Sequence, residues 1–85
     1  MPVISRFFGI VIAMYWRDHS PPHFHAKYAG REAEIDIETG ASIGHLPPRA
    51  LGLVQEWRQM HKAELHADWK RAASGRVLVN IQPLE

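Results

Sequence analysis

An alternation with a period of two residues, beginning at His23 and resuming after Gly30, constrains this chain more than any other feature. Phe24, Ala26 and Tyr28 share one parity and His23, His25 and Lys27 the other. Ala33, Ile35 and Ile37 continue the apolar row, and Glu32, Glu34 and Asp36 continue the polar one. Successive strand side chains point to opposite faces, so the two runs predict an antiparallel hairpin, residues 24–29 against 32–37, with its apolar row turned to the core. A two-residue type II′ turn at Gly30-Arg31 sets Phe24 opposite Ile37, His25 opposite Asp36 and Lys27 opposite Glu34. With the turn at Ala29-Gly30 every face is kept, but His25 meets Glu34. Either register brings a carboxylate to His25.

The remaining segments add strands first and helix later. Val3 to Phe8 reads as a short strand or an extended lead-in, and Gly9 permits a bend. Ile10 to Trp16 is β-branched and aromatic on both parities, which predicts a central strand covered on both faces. Asp18-His19-Ser20-Pro21-Pro22 interrupts it, because two prolines remove N–H donors and fix φ. After a turn at Glu38-Thr39-Gly40, Ala41 to Leu46 supplies a short edge segment. Pro47-Pro48 suits the opening of a helix over Arg49 to Ala73, with Gly75 placed to end it. Its apolar stripes, Ala50, Leu53, Val54, Trp57 and Met60 and then Leu65, Trp69 and Ala72, do not align. One straight helix would carry Glu64 and Asp68 into the first stripe, so a bend or a pair of helices is expected near His61-Lys62. Val77 to Ile81 alternates again as a last strand, limited by Pro83. The expected fold is α+β, a small curled antiparallel sheet packed against a bent helix or helix pair.

Length and composition exclude several alternatives. A chain of 85 residues buries only about 60% of its unfolded surface and has material for one domain, residues 1–85. Apolar residues make up 46% of it, which is away from the disordered regime. There is no cysteine, so disulfides and thiolate metal sites are excluded and a cytoplasmic setting is expected. The apolar run of Ile10 to Trp16 is too short for a membrane span, and the N-terminus lacks a signal-peptide pattern. Ten basic against nine acidic residues give a net charge of +1, which does not favour general polyanion binding. No glycine-rich phosphate loop, His-Glu-x-x-His helix or Ser nucleophile elbow is present, and no cofactor is expected.

Several motifs coincide with a known family. Ile4-Ser5-Arg6-Phe7-Phe8-Gly9-Ile10, Asp18-His19-Ser20-Pro21-Pro22-His23-Phe24-His25-Ala26, Asp36-Ile37-Glu38-Thr39-Gly40, Leu46-Pro47-Pro48-Arg49-Ala50-Leu51 and Glu56-Trp57 resemble DUF4160, a bacterial family of small proteins of unknown function. The resemblance covers nearly the whole chain. It implies a gene often placed beside a DUF2442-type protein, an arrangement resembling toxin and antitoxin pairs. It supplies no catalytic residues. On that basis the expected role is a small binding component of a two-gene module, its partner the adjacent-gene product, with a homodimer also open.

Two other readings come from the histidines themselves. Imidazole titrates near neutrality and serves as base, acid or metal ligand. His23 and His25, two apart on a strand, point the same way, and His19 could reach them across the proline turn. Together the three could hold Zn²⁺ with a fourth position open, with Asp18 or Asp36 as ligand or orienter. Alternatively, a metal-independent ribonuclease would use His25 as base oriented by Asp36, with His23 or His19 as acid and Lys27 as the cation. Arg17 and Arg31 would add phosphate contacts. Arg58, Lys62, His66 and Lys70 would form a basic stripe on a continuous helix. Trp57 and Trp69 are expected in the core rather than as stacking platforms.

Overall fold

The computed structural model describes residues 2–85. Five strands come first, β1 (Val3–Phe7), β2 (Ile10–Ala13), β3 (His23–Tyr28), β4 (Arg31–Asp36) and β5 (Ser42–Gly44), followed by helices α1 (Pro48–Met60) and α2 (Lys62–Ala73). Every neighbouring pair is antiparallel, and the spatial order follows the chain order. The sheet is therefore an open meander in an α+β fold. β2 lies inside the sheet but ends at Ala13, and β3 holds the centre, one strand later than the apolar run of Ile10 to Trp16 suggests.

The central hairpin takes the Ala29-Gly30 turn. Tyr28 pairs with Arg31, Lys27 with Glu32, His25 with Glu34 and His23 with Asp36. Ala29 and Gly30 both have positive φ, 50° and 78°, the type I′ geometry whose twist matches that of the flanking strands. The alternative pairing of His25 with Asp36 is thus not adopted. The apolar row behaves as its period requires, since Phe24, Ala26, Ile35 and Ile37 are fully buried.

Over this row lies α1, whose Ala50, Val54 and Trp57 are buried. The Trp57 ring meets Phe24 at 5.7 Å and Phe7 at 5.4 Å between centroids. Met60, the last residue of α1, is exposed rather than part of the buried stripe. The helical stretch breaks at His61 (φ −123°, ψ 24°), where the mismatched stripes demand it. Beyond the break Leu65, Asp68 and Ala72 turn inward on α2. Asp68 is fully buried, with one oxygen accepting from Arg71 at 2.8 Å and from the Val79 N–H at 2.9 Å.

Gly75 closes α2 at φ 70°, and the Arg76 N–H reaches back to the Arg71 carbonyl at 2.8 Å, an ordinary glycine-terminated helix end. The last segment, 77–81, is not a strand. Among the described residues its link to β1 is one backbone bond, from Ile81 to the Ile4 carbonyl; the Val79 N–H is held by the Asp68 carboxylate, and just beyond the segment the Trp57 indole donates to Gln82 O. Side chains take the place of a ladder here.

Candidate metal centre

The site forms where the loop between β2 and β3 folds back onto the start of β3. That loop is pinned to the end of α2 and the chain beyond it: the Arg17 N–H donates to Ala72 O at 3.2 Å and the Trp16 indole to Arg76 O at 2.7 Å. Asp18 is thereby held over the polar face of the hairpin. The His19 N–H donates to Asp18 Oδ1 at 2.8 Å, which leaves Oδ2 facing His23 and His25.

Four side chains converge. Asp18 Oδ2 lies 3.0 Å from His23 Nε2 and 3.4 Å from His25 Nε2. From β4, Glu34 Oε1 lies 3.4 Å from His23 Nε2 and 3.8 Å from His25 Nε2. All four donor atoms fall within 4.8 Å of one another. A tetrahedral ion bound at about 2.0 to 2.1 Å requires donors roughly 3.4 Å apart, the middle of the 3.0 to 3.8 Å covered by the four imidazole-to-carboxylate distances.

Each imidazole is oriented from behind. His23 Nδ1 meets the Pro21 carbonyl at 2.8 Å, and His25 Nδ1 meets Glu32 Oε2 at 2.9 Å. A carbonyl and a carboxylate accept, so each Nδ1 carries hydrogen and each ring turns Nε2 into the cluster, where it donates to Asp18 Oδ2 when protonated and would offer its lone pair to a bound ion. The Tyr15 ring stands edge-on to His25 at 4.6 Å, and Trp69 covers His23 at 5.3 Å. The rings are consequently enclosed while the carboxylates stay wetter: side-chain exposure is 6% for His23, 11% for His25, 20% for Asp18 and 31% for Glu34.

Four lone-pair donors aimed at one point repel unless a cation or shared protons lie between them. Burial by itself would raise the Asp18 carboxyl, but the His19 N–H and the imidazoles of His25 and His23 outweigh it and hold Asp18 below its ordinary range. With an ion bound in place of those protons, two carboxylates and two imidazoles would carry the charge that one divalent ion cancels.

Over residues 9–70 the chain matches the family described as Domain of unknown function (DUF4160). The chain belongs to this family. All four converging residues of this DUF4160 protein lie within the matched stretch, whereas β1 and the segment after α2 lie outside it. No curated protein matches the chain, and no solved structure does.

Several residues singled out in the DUF4160 sequence fall elsewhere. His19 is outside the cluster: its side chain is 73% exposed, with Nε2 3.9 Å from the far oxygen of Asp18. Asp36 does not orient His25, because the adopted register pairs it with His23 and its carboxylate caps the next turn, accepting from Glu38 N at 2.8 Å and Thr39 N at 2.9 Å. Lys27 donates to the Tyr15 hydroxyl at 3.0 Å, which raises its ammonium above the usual lysine range.

Nor do the basic residues make a common surface. Arg58 is buried and donates to Ile37 O, Glu38 O and Gln55 Oε1. Lys62 bonds Glu38 at 3.2 Å, Arg17 lies against Gly75, Arg31 is at the hairpin tip, and Lys70 is exposed on α2. The break at His61 interrupts the stripe that a continuous helix would carry.

Glu34 is the residue that reading along the chain undervalues as a ligand. The signal for it was the hairpin register, since the Ala29-Gly30 turn alone sets it opposite His25. Among the described residues no helix is long and apolar enough to cross a membrane.

Proposed function

We propose that this protein is a divalent-metal-binding domain that holds one Zn²⁺ through Asp18, His23, His25 and Glu34. The observation that carries the reading is the convergence of both Nε2 atoms and two carboxylate oxygens within 4.8 Å, with each Nδ1 engaged by an acceptor behind it. Two nitrogen and two oxygen donors suit zinc. Calcium and magnesium favour six or more oxygens, and no thiolate is present to select a softer ion. Four protein ligands differ from the open three-histidine site that the sequence suggests. A closed set supports a structural or binding role, in which the ion staples the Asp18 loop to β3 and β4.

The ribonuclease reading loses support from the same geometry. Glu32, Glu34 and Asp18 surround the histidines with negative charge, Asp36 is engaged elsewhere, and among the described residues no basic surface gathers nearby. Association with the adjacent-gene partner is a second reading, favoured by one feature. Edge strand β5 is exposed throughout, and Ile43 on it is 73% exposed. If β5 is that surface, Ile43→Lys should abolish capture of a co-expressed partner. Capture unchanged by Ile43→Lys would remove the edge from consideration.

Zinc titration by calorimetry at neutral pH, with native mass spectrometry for stoichiometry, tests the leading reading. One ion per chain is expected. His23→Ala and His25→Ala should each weaken binding by at least about 100-fold, and Glu34→Gln by about 10-fold or more, while His19→Ala should leave it within about twofold. Absence of binding, or equal losses in His19→Ala and His25→Ala, would contradict the assignment.

A further inference from the structure

A separate cavity lies at the other end of β3. The turn between β1 and β2, the end of β3 and the first turns of α1 enclose about 570 Å³, lined by Phe8, Ile10, Tyr28, Pro47, Arg49, Ala50 and Leu53. This volume is in the range of small-molecule sites, and the wall has their usual make-up, apolar with a few polar groups. Arg49 is its only charged residue. Among the described residues neither the Arg49 guanidinium nor the Tyr28 hydroxyl has a side-chain partner, and the first turn of α1 carries no acidic residue.

Phe8 gives an independent indication. It is 61% exposed and stands at φ 50° beside Gly9, in a tight turn where asparagine or glycine would be unstrained. The positive φ belongs to the turn, as at Ala29-Gly30, but the ring it leaves open to water extends the apolar wall of the cavity and offers surface that a ligand would cover. We infer that this cavity binds a small monocarboxylate with an aromatic body, the ring lying among Phe8, Ile10 and Leu53 and the carboxylate pairing with Arg49. Charge complementarity selects the acid, because the lining offers one cation and no anion. Arginine also presents the fork geometry that matches a carboxylate with two parallel N–H donors. The metal ligands take no part, so this inference stands apart from the zinc reading.

Titration of the full chain with naphthylacetate, followed by two-dimensional NMR of the backbone amides, tests it, with naphthylacetamide as the uncharged control. Saturable shifts are expected at Phe8, Tyr28, Arg49 and Leu53. The amide should bind about tenfold more weakly, and Arg49→Gln should bring the acid down to the affinity of the amide. Leu53→Trp, which fills the cavity, should remove both. Equal binding of acid and amide, an unchanged affinity in Arg49→Gln, or no saturable shift at millimolar ligand would overturn the proposal. Arg49 is exposed, so its replacement leaves the fold intact and the test decisive even if Leu53→Trp is poorly folded.

Discussion

Arg58 carries a charge into the interior and has its hydrogen bonds met there, by Ile37 O at 2.9 Å, Glu38 O at 3.3 Å and Gln55 Oε1 at 2.9 Å. Removing it orphans the carbonyls as well as the packing. Arg58→Ala should cost about 2 to 4 kcal/mol in urea denaturation, whereas an unchanged midpoint would return Arg58 to the surface. Asp36 acts through an acceptor rather than a base: Asp36→Asn keeps the oxygen that caps the turn and should cost under about 0.5 kcal/mol, and Asp36→Ala about 1 kcal/mol. Glu38 is held below its ordinary value of 4.5 by its hydrogen bond to His66, then by Lys62. A carboxyl with a depressed folded value takes up its proton more readily when unfolded. Its contribution is therefore present above the unfolded pKa and is lost as pH falls through the folded one. The acid limb of the stability profile should accordingly flatten in Glu38→Gln, and an identical limb would contradict the pairing.

Ala29 illustrates at the scale of the element why the hairpin was readable and its register was not. Alternation fixes which side chains share a face, and Phe24, Ala26, Ile35 and Ile37 are buried as it requires. Register depends instead on whether alanine tolerates φ 50°, a difference of only about 1 to 2 kcal/mol that pairing energy can outweigh. Ala29→Asn, which suits a type I′ turn, should raise stability by about 0.5 to 1 kcal/mol in thermal unfolding, and a loss would contradict the turn assignment. The helix break was legible because two misaligned stripes cannot share one straight axis. The last segment departs from its pattern for the opposite reason: Val77 to Ile81 alternates, yet Val79 donates to a carboxylate and, among the described residues of the segment, Ile81 alone bonds β1. Asp68→Ala should therefore speed hydrogen exchange at Val79 and Ile81 far more than at Phe24, and uniform change across the chain would argue against that anchor.

At the scale of the whole molecule, the candidate centre joins three consecutive parts of the chain: a loop, the central strand that follows it and that strand's neighbour. Proximity along the chain drew attention to His19, His23 and His25, but a metal site depends on which lone pairs meet. His19 projects into water, while Glu34 arrives through the register. Zinc held at 100 times its dissociation constant should stabilise the fold by about 2.7 kcal/mol. X-ray absorption at the zinc edge of the loaded protein tests the central claim most directly. A first shell of four nitrogen or oxygen donors near 2.0 Å, with outer-shell scattering from two imidazoles that falls to one in His25→Ala, is the result expected. A shell of six oxygens, or imidazole scattering unchanged in His25→Ala, would contradict the assignment of Asp18, His23, His25 and Glu34 as ligands.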